Sequence, residues 1–155
     1  MKILGIDPGT HCGWAIRRGP QVIDSGVWDL SARRHEGGGM RFLRCRTYLR
    51  EMLDVDPPDV VIYEEVRRHM GVDAAHIYGG IVAIIASECE ARVPPIPYRG
   101  VPVGAVKKHA TGKGNADKDA MIAAAVARWP GFVPADDNEA DARWIADTAA
   151  QEFGG

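Results

Sequence analysis

Little in the sequence ties the chain to an oxidising compartment, a structural zinc or a membrane. The three cysteines, Cys12, Cys45 and Cys89, are odd in number and scattered, with neither a C-x-x-C pair nor a histidine at ligand spacing. That pattern excludes a disulfide framework and a zinc site, and it predicts reduced thiols in a cytoplasmic protein. The longest uninterrupted apolar run, residues 79–86, falls far short of the roughly 20 residues of a bilayer crossing. An acid at position 7 breaks the N-terminal apolar run, which argues against a secretory signal. Charge of one sign is lacking too, with 19 Lys and Arg against 21 Asp and Glu and a net charge of −2. Such a balance does not advertise a nucleic-acid partner, so any contact with phosphate has to come from local clusters. With 155 residues and 46% hydrophobic composition, the expectation is one domain over residues 1–155 with a sizeable core.

No internal repeat or low-complexity tract appears. Residues 2–7, 12–17 and 21–28 read as three strands of an antiparallel meander, the last two joined by an Arg18-Gly19-Pro20 turn. After glycines 37–39, Phe42, Cys45, Leu49, Met52 and Leu53 recur at helical spacing while Arg41, Arg44 and Arg50 fall elsewhere, which predicts an amphipathic helix with a basic outer surface. Residues 59–66, DVVIYEEV, read as a strand, and residues 72–91 as a mostly apolar helix. Val93 to Tyr98 reads as a short strand limited by prolines, residues 103–110 as a brief helix, TGKGN at 111–115 as a glycine-rich loop, and residues 116–129 as a helix that Asn115 caps. A last helix starts near Asn138. Three hairpin-linked strands followed by βα units predict an α/β domain with a mixed sheet and helices on both faces.

Three acidic positions fall where these elements end: Asp7, then Glu64 or Glu65, then the cluster Asp136, Asp137, Glu139 and Asp141 beside Asn138. Each has a plain explanation on its own. Asp7 suits an Asx turn, the Glu pair a strand end reaching solvent, and the cluster a helix N-terminus. If the first and fourth strands are neighbours, however, Asp7 meets Glu64, and Asp141 joins them from a crossing helix. Strand alternation sends Glu64 and Glu65 to opposite faces, so at most one of them shares the site. Converging carboxylates repel, and hard divalent cations such as magnesium relieve that repulsion. Two such ions about 4 Å apart activate a water and stabilise the leaving oxygen of a phosphodiester. Basic residues recur nearby in sequence: Arg33, Arg34, Arg41, Arg44, Arg46 and Arg50 in one segment, Arg67-Arg68-His69 after the acids, and Lys107, Lys108, His109, Lys113 and Lys118 framing Gly112 and Gly114. Glycines let backbone approach a phosphate and lysines beside them neutralise it, although a solvated basic loop explains the last segment equally well if it stands alone. TGKGNADK is not a Walker loop, since it lacks GxxxxGK[ST].

Taken in order, GIDPGT (5–10), IYEEV (62–66), VKKHATGKGNADKD (106–119) and EADA (139–142) resemble the RuvC family of Holliday-junction resolvases, and the GIDPGTHCGWA opening is similar to its short phage-type members. The resemblance runs over essentially the whole chain and implies an RNase H-like fold. It also implies a homodimer in the cytosol of a bacterium or a phage-infected host, cutting opposed strands of a four-way DNA junction. Magnesium, or alternatively manganese, would be the cofactor, two ions per subunit. Residue by residue, it makes Asp7, Glu64 and Asp141 catalytic metal ligands and Lys107 and Lys118 the catalytic basic pair. Arg67, Arg68, Lys107, Lys108, Lys113 and Lys118 then become DNA-binding positions. Two places depart from the family pattern. Asn138 stands where the family has an Asp or His ligand, leaving Asn138, Asp137 and Glu139 as candidates for the fourth position. Arg67 stands where well-known members carry an aromatic residue that contacts bases near the crossover. Competing readings are a same-fold nuclease for forks, flaps or RNA–DNA hybrids, a non-catalytic junction binder, and an actin-like ATPase, for which the chain lacks a second lobe. His11, His69, His76 and His109 read as surface or loop residues, and the four tryptophans as core.

Overall fold

The computed structural model describes residues 1–68 and 71–152; His69 lies outside them. Five strands and five helices follow one another as β1 (Lys2–Asp7), β2 (His11–Arg18), β3 (Gln21–Asp29), α1 (Gly39–Val55), β4 (Val60–Glu65), α2 (Val72–Glu90), β5 (Tyr98–Pro102), α3 (Val103–Thr111), α4 (Lys118–Arg128) and α5 (Asp137–Glu152). The strands form one mixed sheet in the order β3-β2-β1-β4-β5. β1 lies at its centre, antiparallel to β2 and parallel to β4. The meander is thus as the sequence pattern predicts, and the first and fourth strands are neighbours, which is the condition for Asp7 to meet Glu64.

Period-two alternation divides the sheet's side chains between two apolar layers. Leu4, Ile6 and Val61 pack with Leu49, Leu53, Ile81 and Ile85 of α1 and α2 on one face. Ile3, Ile62 and Val101 pack with Val106, Met121, Ala125, Trp144 and Ile145 of α3, α4 and α5 on the other. The apolar stripe predicted for α1 is the one that packs inward. Cys12, Cys45 and Cys89 are free and buried, and burial pushes their thiols upward, Cys45 to about 12 and Cys89 to about 11. Trp28, Trp129 and Trp144 are core residues, while Trp14 packs against its layer half-buried.

Several boundaries differ from the sequence reading. The fifth strand begins at Tyr98, not Val93, because Pro94, Pro95 and Pro97 bring no N–H groups to a ladder. Asp117, not Asn115, caps α4, accepting a hydrogen bond from the Ala120 amide at 2.8 Å. The arginines of α1 are not one outer surface. Arg44 is buried, and it holds the loop after β3 through Glu36 at 2.7 Å and the Ser31 carbonyl at 2.9 Å. Arg41 donates to the Leu30 carbonyl at 2.8 Å, and Arg50 pairs with Glu88 of α2 at 2.8 Å. α2 is also more apolar than its longest uninterrupted run suggests. It is 19 residues long with a mean hydropathy of 1.3, enough by length and composition for a bilayer crossing, yet only 22% of that stretch is buried.

Candidate active site

The site forms where the central strand ends. β1 and β2 pair through Asp7 and Gly13, and the β1–β4 ladder reaches Ile6 and Tyr63, which sets Glu64 one step beyond. Ile3 and Ile62 face the α5 layer, so alternation points Asp7 and Glu64 to that same face. Glu65 takes the opposite face and lies 3.2 Å from Arg67, so it is not part of the acid group.

Glycine is what lets α5 reach these strand ends. A methyl group at Gly13 would stand 2.0 Å from the Asn138 carbonyl oxygen, and one at Gly5 would stand 2.8 Å from the Ala142 carbonyl oxygen. The backbone of α5 therefore lies directly on β1 and β2, with Asp141 between those two contacts. The helix start is fixed by its own acids. Asp136 accepts from the Glu139 amide at 3.0 Å, while Glu139 accepts from the Ala135 amide at 2.8 Å and from the Ser25 hydroxyl at 2.6 Å, a reciprocal arrangement close to a capping box.

That geometry separates the residues of the cluster. Asp136 and Glu139 are occupied as caps. The Asn138 side-chain amide donates to Asp136 at 3.3 Å. Asp137 lies 3.8 Å from the ammonium of Lys118, and its charge acts on both Asp7 and Asp141.

Electrostatics tie the group together. Asp7 is 9% exposed, and its carboxyl is raised well above the ordinary range by burial first, then by Glu64, Asp141, Asp137 and Asp136. Asp141 is pushed up to about 7 by burial, Glu64 and Asp137, against the pull of Lys107 and Lys118. Burial raises Glu64 as well, with Lys107 opposing it. So Asp7, Glu64 and Asp141 act on one another, and the two lysines singled out by sequence both reach them. Among the described residues no three His, Cys, Asp or Glu side chains stand close enough to hold an ion as they are. The donor set nevertheless suits a hard cation: desolvated carboxylates whose charge is incompletely offset.

The other predicted positions are not all beside this group: Lys108 and His109 line a groove with Thr148, Gln151 and Glu152 toward the far end of α5. Lys107 is half-buried on α3, and its carbonyl accepts from the Thr111 hydroxyl at 2.9 Å. Gly112 adopts the left-handed conformation at φ 84° to end α3, and the Lys113 amide donates to Thr111 at 3.1 Å, so the glycine loop is hydrogen-bonded. Lys108, Lys113 and Lys118 are exposed, as are Arg67 and Arg68 just past β4. His109 is not a surface residue; it is half-buried on α3, 2.8 Å from buried Asp147, which also pairs with Arg17 at 3.1 Å. Sequence reasoning missed Gly5 and Gly13, whose signal was glycine inside strands otherwise built of core residues.

No family model matches the sequence. The chain is 26% identical over 135 residues to the crossover junction endodeoxyribonuclease RuvC of Synechococcus sp. (strain CC9311), covering 80% of this chain and 81% of that protein. Its fold is similar to that of T. thermophilus RuvC solved with a Holliday junction substrate, with a TM-score of 0.80, 22% identity, and coverage of 99% of this chain and 96% of that one. The yeast mitochondrial Holliday junction resolvase Ydc2 is similar at a TM-score of 0.65 and 12% identity, over 94% of this chain and 76% of that one.

Proposed function

We propose that the chain is a RuvC-type, metal-dependent endonuclease resolving four-way DNA junctions by paired hydrolysis of two phosphodiesters, a reading supported by its 26% identity to a RuvC over 80% of the chain and by its RuvC-like fold. The observation that carries this reading is the meeting of Asp7, Glu64 and Asp141 at one end of the sheet with Lys107 and Lys118 beside them. Magnesium, or manganese in its place, is the cofactor we assign, two ions per subunit; such ions supply Lewis-acid stabilisation and an acidified water.

Asp7, Glu64 and Asp141 would hold the ions. For the fourth position, Asp137 is favoured over Asn138 and Glu139, because its charge acts on both Asp7 and Asp141 while Glu139 is spent on the helix cap. Lys107 and Lys118 hold the scissile phosphate and offset the charge that builds on it. Lys108, Lys113, Arg67 and Arg68 grip the flanking backbone. Arg33 and Arg34, exposed on the loop that follows β3, lie at the same end of the sheet, since His11 pairs with Asp29 beside the Asp7–Gly13 pair.

Paired incision calls for two copies. The outward side of α2 carries Val72, His76, Gly79, Ala83 and Ser87, a mostly small and apolar stripe that we assign to the dimer contact. A cytosolic setting is the one that fits this reading.

The test is cleavage of a synthetic four-way junction beside a fork, a flap, linear duplex and an RNA–DNA hybrid, with and without magnesium. Asp7→Asn is expected to lower cleavage at least a thousandfold while junction binding stays within about threefold. Asp137→Asn should cost more activity than Asn138→Ala. An Asp7→Asn protein that cuts at the parental rate defeats the assignment.

A further inference from the structure

Beyond Tyr63, the β1–β4 ladder has no further registered pair, because β1 ends at Asp7 and the chain turns away at Pro8. β5 continues alongside only as far as Glu65 and Pro102, and proline offers no N–H. The backbone that carries Glu64 is therefore thinly supported by the sheet. Tyr78, reaching over from α2, supplies what is missing. Its hydroxyl donates to the Glu64 carbonyl at 2.9 Å and accepts from the Val66 amide at 3.1 Å. One phenol oxygen thus engages the two peptide groups on either side of Glu65, as a residue of a neighbouring parallel strand would.

We infer that Tyr78 is a positioning residue for the metal centre, fixing the peptide after Glu64 and so the direction in which the Glu64 carboxylate enters the site. This rests on the function proposed above and deepens it. The side chain faces away from the acids, since it approaches from the α2 face while Glu64 points toward α5. Ligand direction matters because a magnesium ion demands near-octahedral geometry, so a loosely held carboxylate loses affinity before it loses chemistry. Tyr78 also sits on the helix assigned to the dimer contact, so one residue links that contact to a ligand-bearing strand end.

Tyr78→Phe removes only the oxygen. The expected result is a rise of about three- to tenfold in the manganese dissociation constant, read by electron paramagnetic resonance of the free ion, and a matching rise in the magnesium concentration for half-maximal cleavage. Cleavage at saturating magnesium should return to within about threefold of the parent, and junction binding in chelator should not change. Parental manganese affinity in a folded Tyr78→Phe protein would overturn the inference and leave a plain strand cap. If the variant does not fold, hydrogen exchange of the Val66 amide in the parent decides. Protection that deepens on adding magnesium supports the inference, and protection indifferent to magnesium overturns it. A parent that neither binds manganese nor cuts a junction would instead remove the proposed function itself.

Discussion

Asp7, Glu64 and Asp141 are held where each would rather keep its proton. Their pKa values are raised in the folded chain, so the stability these three groups contribute to the metal-free protein is fully present below about pH 4, the unfolded carboxylate range, and is lost as pH rises through about 7, where Asp141 ionises. Thermal melts in chelator should therefore fall from pH 5 to pH 8, and magnesium should restore most of the loss at pH 8. Asp7→Asn removes one of the repelling charges. It should raise the metal-free protein's stability at pH 8 by about 1–2 kcal/mol, roughly 2–8 °C for a chain of this size, while abolishing cleavage. At this scale the sequence was informative about identity and silent about division of labour. Asp7 and the Glu64-Glu65 pair stood out because they end predicted strands, and the resemblance to the RuvC family singled out Glu64 and Asp141. Asp137, Asn138 and Glu139 could not be ranked, because which residue caps and which faces the strands depends on the rotation of α5, and rotation is set by packing.

The element that assembles the site is α5, and its seat is glycine. Gly13→Ala would place a methyl carbon 2.0 Å from the Asn138 carbonyl oxygen, a clash with backbone that no side-chain motion relieves. The expected cost is about 1–3 kcal/mol of stability together with a loss of at least tenfold in cleavage, as Asp141 is levered away from Asp7. Gly37→Ala, at an open position, is the control and should stay within about 0.5 kcal/mol. Denaturant melts and single-turnover cleavage check both. Strand and helix types were legible from periodicity throughout. What escaped was long-range: Arg44 reads as one more outer arginine until its partners, Glu36 and the Ser31 carbonyl, are seen to draw it inward. The Val93–Tyr98 strand misled for a different reason. Apolar residues are there, but prolines leave too few donors to join a ladder.

At the scale of the whole molecule, the sheet order places an antiparallel half beside a parallel half, and the acids gather where the two meet. That much follows from a three-strand meander and later βα units. Which side of α2 is exposed did not, because an apolar helix reads as core until its exposure is known. Ala83→Arg, on that outward stripe, should leave a folded monomer by sedimentation. On a cruciform plasmid it should yield nicked circles where the parent yields linear product, since two incisions then come from separate encounters. Linear product at the parental fraction from a sedimenting monomer would put the contact elsewhere. The central position of β1 bears on biosynthesis as well. Asp7 and Glu64 precede Asp141 in the chain by many elements, so the acids cannot come together until α5 has been made and has seated on Gly5 and Gly13.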